Sequence, residues 1–234
     1  KVYDRLLPWE HADLPDNAFR DGQIARETIA TVRRAHASGK PFFIAPGFQK
    51  PHLPFVCPRK YYDLYSDKDV RRSPNPERGP GQPLFTIPKE INGIEIFGDF
   101  PKTGLADKDV VHGLRSYYAC VSFIDAQVGK ILDELDRLKL TDSTVVVVLS
   151  DHGFHLGDHG NWGKATCFER ATRSPLFVRM PGMKTAGSQC DAFVEYVDLF
   201  PTVLDLCGAE VPQYMEGTSF APLLKSPSTV WKKA

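Results

Sequence analysis

The sequence has no excess of charge of either sign: Lys+Arg and Asp+Glu both total 29 over 234 residues. Such a balance gives no overall field to draw the chain to nucleic acid or to an anionic membrane, so neither is expected as a partner. Any anionic ligand has to be recognised locally. The sequence also lacks an apolar run long enough to cross a bilayer. Its first residues, Lys1 to Arg5, carry no apolar core of a signal peptide, which leaves the compartment open. No C-x-x-C pair occurs among Cys57, Cys120, Cys167, Cys190 and Cys207, which argues against a zinc cluster. Their odd number also rules out complete internal pairing. Internal repeats are absent. What is there is ordinary globular composition, 42% hydrophobic and 25% charged, in a length that can bury a sizeable core.

Residues 21 to about 36 place Ile24, Ala25, Thr28, Ile29, Val32 and Ala35 on one stripe, the pattern of a helix capped by Asp21 and stopped at Gly39. Pro41-Phe42-Phe43-Ile44-Ala45-Pro46 is a short apolar run between turn signals and predicts a buried strand. Residues 66 to about 104 are rich in Pro and Gly and poor in periodicity, which suits a surface excursion. A long helix is predicted from Asp107, as its cap, to Leu138. Thr144 to Leu149 is β-branched on both faces, as a central parallel strand should be. Pro175 to Met180 predicts another strand, and Tyr196 to Cys207 a helix ended by Gly208. Helix, strand, long helix, strand, strand and helix in this order predict an α/β fold, a doubly wound and mostly parallel sheet flanked by helices.

In such sheets ligands bind beyond the carboxyl ends of the strands. The residues leaving the 144–149 strand are Ser150-Asp151-His152-Gly153. A lone Asp-His-Gly is accounted for by a tight turn, with the Asp as a cap and the His as polar filler. The continuation is not, because residues 151–164, DHGFHLGDHGNWGK, hold three His, two Asp and four Gly. A solvated loop has no need of so many potential ligands beside an apolar strand.

Ser150-Asp151-His152-Gly153, followed by Leu156-Gly157-Asp158-His159-Gly160-Asn161-Trp162-Gly163-Lys164, resembles a metal-binding motif of the sulfatase family in its iduronate-2-sulfatase branch. Gly47-Phe48-Gln49-Lys50-Pro51-His52-Leu53-Pro54-Phe55 is similar to the K-P-H-x-P-F block of that branch. The run from Tyr196 to Gly208 resembles the D-L-[FY]-P-T helix of sulfatases generally. The resemblance covers nearly the whole chain and implies an alkaline-phosphatase-like fold. It implies that Asp151 and His152 are two ligands of one divalent metal, Ca²⁺ in most of the family. The carboxylate suits that hard cation, and the imidazole is a softer donor than Ca²⁺ usually takes. His52 would donate a proton or hydrogen bond to the leaving sugar oxygen, and Lys164 would hold the sulfate as a point charge. Phe154 is open between the sugar pocket and the core. His155, Asp158 and His159 would shape the loop.

The family's nucleophile is a formylglycine made within a C/S-x-P-S-R stretch, and none of the five cysteines stands in one. The resemblance therefore implies that residues 1–234 are a carboxyl-terminal portion of one catalytic domain, with the formylglycine and the other metal ligands upstream. By itself the chain is expected to be inactive. The implied substrate is a sulfated saccharide, with a 2-O-sulfated uronic acid of a glycosaminoglycan-like polysaccharide the best match. The implied setting is exported or lysosomal. Two other readings stand beside it: a phosphate mono- or diester hydrolase of the same superfamily, and a non-catalytic carbohydrate-binding homologue.

Overall fold

The computed structural model describes residues 8–77, 79–81, 83 and 105–232. Most of the Pro/Gly-rich excursion, residues 84–104, lies outside the described residues. The chain divides into two compact units, residues 1–138 with 151–174, and residues 139–150 with 175–234.

In the first unit, β1 (Trp9–Ala12) pairs in parallel with β2 (Phe55–Pro58). Helix α1 (Arg20–Ser38) and the long α3 (Asp107–Arg137) pack against each other, with the single turn α2 (Arg59–Tyr62) against α3. The core gathers Leu53, Phe55, Tyr61, Leu114, Phe123 and Trp162 around two fully buried cysteines, Cys57 and Cys120. Polar ties fix the helices. Arg33 on α1 grips Glu134 on α3 with two bonds of 2.8 and 3.0 Å, and Arg137 joins the same carboxylate. Asp16, just before α1, is held by Lys60 at 2.6 Å and Lys130 at 2.5 Å, with Tyr61 and Gln127 also bonded to it. Burial pushes the Asp16 carboxyl up, but those four partners outweigh it and hold it well below the usual carboxylate range.

The helix boundaries are close to those predicted, but the caps are not. Gly39 does end α1, in the left-handed conformation at φ 65°. Asp21, however, lies inside the first turn and caps nothing; its carboxylate is taken by two backbone amides of a distant loop. The carboxylate of Asp107 likewise bonds Arg72 at 2.7 Å instead of capping α3. Residues 41–49 form no strand, and Phe43 is 82% exposed. A strand exists only where a partner completes its ladder, and among the described residues none lies beside this run.

In the second unit, β3 (Val146–Leu149) and β4 (Leu176–Arg179) form a two-stranded antiparallel sheet, whereas residues 144–149 were expected as a central strand of a mostly parallel one. The residues between them are spent on the motif loop and the single turn α4 (Glu169–Thr172), with no long crossover helix of the kind that joins parallel strands. Helix α5 (Leu199–Leu206) starts from a 3₁₀ turn at Tyr196–Asp198, and α6 (Ala221–Lys225) follows. The D-L-F-P-T residues have a visible structural task. Asp198, fully buried, accepts the Glu195 and Thr218 amides at 2.9 Å each and pairs with Lys232. The Thr202 hydroxyl accepts the Phe220 amide. Burial raises the Asp198 carboxyl, and Lys232 with the two amides outweighs this and holds it low. Among the described residues no helix is long and apolar enough to cross a membrane.

Candidate active site

The residues singled out from the sequence all belong to the first compact unit. His52 sits in the loop before β2, between prolines, with its ring exposed. Its Nδ1 is 2.6 Å from the Leu53 carbonyl oxygen. A carbonyl only accepts, so Nδ1 carries the hydrogen and Nε2 is the atom left to exchange a proton with a ligand.

Asp151 and His152 are adjacent at the start of the motif loop. The Asp151 side chain is 82% exposed, with Oδ1 accepting the His152 amide at 3.0 Å and Oδ2 lying 3.4 Å from His152 Nε2. His152 Nδ1 donates to the Gly153 carbonyl at 2.7 Å, which turns Nε2 toward the carboxylate. This is the arrangement metal-bound histidines use, the far nitrogen fixed by a backbone carbonyl. Two donors that share one ion at about 2.4 Å and at a right angle stand ~3.4 Å apart, so the spacing fits a common cation. Among the described residues no third His, Cys, Asp or Glu joins them in a metal-holding group. The pair fits part of a hard-metal site and would need further oxygen donors to complete it.

Gly153 is where the turn meets α4. Its amide donates to the Ala171 carbonyl at 2.8 Å, and a Cβ there would stand 2.1 Å from the Arg170 carbonyl oxygen. Only glycine allows that approach. Phe154 then packs onto the core, 6.3 Å from Phe55 edge-on and 6.2 Å from Tyr117 nearly parallel. Phe55 ends the K-P-H-L-P-F block, so this contact is what brings the two motif segments together. The ring of Phe154 is thus largely a core anchor.

The remainder of the loop folds back on itself. His155, 1% exposed, bonds Gly163 through its amide (2.7 Å) and Thr166 through Nε2 (2.8 Å). Burial pushes its pKa down, in keeping with a neutral, structural imidazole. Asp158 is tied to Ser73 at 2.8 Å and Arg170 at 3.3 Å, and the His159 amide bonds the Asn75 carbonyl. Both dock the described start of the Pro/Gly-rich excursion onto the loop. Gly157, at φ 97°, turns the chain over the indole of Trp162. These bonds hold Lys164 between Gly163 and Thr166, the two residues that grip His155. Its side chain is half-buried, and among the described residues its ammonium makes no ion pair. Two further residues escaped sequence reasoning: Asp21 and Lys50, which hold the His52 loop. The partner segments of Asp21 lie 28 and 29 positions away, and no local pattern signals such a contact.

The fold has close counterparts among solved structures. A phosphonate monoester hydrolase from Silicibacter pomeroyi superposes with a TM-score of 0.79 at 26% identity, over 99% of this chain and 48% of that one. The fold is therefore α/β of the alkaline-phosphatase-like kind. Iduronate 2-sulfatase of Mus musculus is 32% identical over 91% of this chain and 44% of its own length. N-acetylglucosamine-6-O-sulfatase of Bacteroides thetaiotaomicron is 37% identical over 58% of this chain and 25% of its own length. The chain spans less than half the length of these curated relatives. With the sulfatase family model matching residues 4–209 as well, the chain belongs to the sulfatase family.

Proposed function

We propose that the protein carrying this chain is a sulfuric ester hydrolase that removes sulfate from a sulfated saccharide. We infer further that the saccharide is a 2-O-sulfated uronic acid of a glycosaminoglycan-like polysaccharide, and that both compact units belong to one catalytic domain. The observation that carries the reading is the way His52 is held, exposed and with Nδ1 locked on the Leu53 carbonyl. A histidine so fixed can carry a proton on Nε2 and deliver it to the oxygen of a departing alcohol, since cleavage otherwise leaves an alkoxide. Lys164 has a compact cation that makes no ion pair among the described residues, which suits a sulfate-holding residue. Asp151 and His152 would hold the divalent metal, Ca²⁺ by family resemblance, together with donors from outside this chain. When bound, that ion would offset negative charge on the sulfuryl oxygens. The nucleophile would be a formylglycine, and these 234 residues contain no C/S-x-P-S-R stretch to carry one.

The test uses the protein that contains this chain together with the nucleophile segment, on a sulfated disaccharide. Lys164→Ala should lower kcat/KM on the order of 10²–10³-fold, the usual loss of one oxyanion-stabilising contact. Lys164→Arg should rescue only part of it, because a planar fork does not replace a compact ammonium in a shaped pocket. His36→Ala, on the exposed end of α1, should leave turnover unchanged. Near-normal activity in a folded Lys164→Ala variant would end the assignment. A second reading, hydrolysis of phosphonate or phosphate esters, draws on the likeness to the phosphonate monoester hydrolase. Preference for a phosphonate monoester over the sulfated disaccharide would favour it.

A further inference from the structure

Lys50 stands two residues before His52, and by sequence it could pass for a second cation for the sulfate. Its geometry assigns it elsewhere. Lys50 Nζ donates to the His52 carbonyl at 2.7 Å and to the Pro54 carbonyl at 2.8 Å, so two of its three N–H groups are spent on the loop itself. The side chain runs inward beside the buried thiols of Cys57 and Cys120, and burial pushes its pKa down. From the other side, Asp21 closes the same loop. This carboxylate is 2% exposed, and its two oxygens accept the Gln49 amide at 2.8 Å and the Lys50 amide at 3.0 Å. One residue is therefore gripped twice, by its amide and by its ammonium. The His52 amide in turn donates to the Gln49 carbonyl at 3.0 Å.

A buried carboxylate and a half-buried ammonium are costly to desolvate, and each is tolerated only where its hydrogen-bond partners are supplied. Here the partners are all backbone groups of residues 49–54. We propose that Asp21 and Lys50 are positioning residues that clamp the loop on both sides of His52 and so hold its imidazole on the Leu53 carbonyl with Nε2 outward. Lys50 is then a structural cation, and of these two motif lysines it is Lys164 that is left for the sulfate. The catalytic consequence rests on reading His52 as the proton donor; the clamp itself does not.

Nuclear magnetic resonance of the unsubstituted chain tests the clamp directly. The Gln49 and Lys50 amides should exchange with solvent far more slowly than the amide of exposed Gly47, although they lie in a loop. The Lys50 ammonium should give a resolved, slowly exchanging ¹⁵N signal at neutral pH, and the neutral His52 ring should be a single Nδ1–H tautomer. In Lys50→Met and Asp21→Asn the His52 ring should become a tautomer mixture. Fast exchange of both amides and the ammonium in the unsubstituted chain would overturn the proposal even if neither variant folds. So would a folded Lys50→Met variant that keeps the single tautomer. In the protein that includes the nucleophile segment, Lys50→Met should lower kcat about 10–100-fold, the scale of an ångström of misplacement, with KM changed by less than about threefold. If His52→Gln leaves turnover intact, the proton-donor reading fails, while the tautomer and exchange measurements still decide the clamp.

Discussion

Gly153→Ala should be among the most damaging one-methyl changes in this chain. The added Cβ would lie 2.1 Å from the Arg170 carbonyl oxygen and 3.0 Å from its carbon. Non-bonded heavy atoms are comfortable at roughly 3.5 Å, so the turn and α4 must separate by more than an ångström. That separation removes the 2.8 Å bond from the Gly153 amide to the Ala171 carbonyl. An amide left unpaired costs about 1–3 kcal/mol, and forced displacement in a packed region about as much again. The expected loss is therefore about 3 kcal/mol, a large share of the 5–15 kcal/mol that typically holds a domain together. Gly129→Ala supplies the internal control. Gly129 lies in α3, where a Cβ meets nothing within 4 Å, so the same substitution should stabilise by about 0.5–1 kcal/mol through helix propensity alone. Urea unfolding of the parent and the two variants, followed by far-ultraviolet circular dichroism, measures both. An unfolding free energy for Gly153→Ala within about 0.5 kcal/mol of the parent would mean that the turn does not press on α4, and that Asp151 and His152 are not held as described.

Acid should weaken the first unit through His11. Burial lowers its pKa from 6.5 to about 4, and His112, Arg59 and Arg115 add to the effect. Between those two values the unfolded chain binds the proton and the folded chain does not, so stability is full above about pH 6.5 and declines as pH falls toward 4. At about 1.4 kcal/mol per unit, discounted because the ring is partly exposed, the loss should be about 2 kcal/mol. His11→Phe, which keeps a ring 3.9 Å from that of Tyr62, should flatten the dependence in denaturation at pH 7.5 and pH 5; an unchanged slope would exonerate His11. In the second unit, Asp198→Ala leaves the Glu195 and Thr218 amides without their acceptor and takes from Lys232 the more buried of its two carboxylate partners. It should cost about 3 kcal/mol. A melt indistinguishable from the parent would show that the D-L-F-P-T aspartate is dispensable to the fold.

What the sequence determined is whatever is carried by adjacent residues. The period of the apolar positions located α1, α3 and α5 to within a few residues, because a helix satisfies its own backbone and needs no distant partner. Gly39 and Gly208 marked helix ends because the left-handed conformation there is a property of the residue itself. The motif run from Asp151 to Lys164 stood out as a candidate site because its possible ligand types and glycines are consecutive in the chain. Tertiary structure decided everything that depends on a partner far along the chain. The apolar run at 41–46 has the composition of a strand and is not one, since a ladder has to be completed from elsewhere. The strand direction of β3 and β4 was decided by where the chain went between them, not by their β-branched faces. Asp21 looked like a helix cap and became the anchor of the His52 loop, because two amides some 28 residues onward compete for its carboxylate and win. Lys50 and Lys164 are the same residue type inside motifs of equal promise. Neither ammonium makes an ion pair among the described residues, so only the two carbonyls that hold Lys50 Nζ separate a structural cation from one available to a ligand.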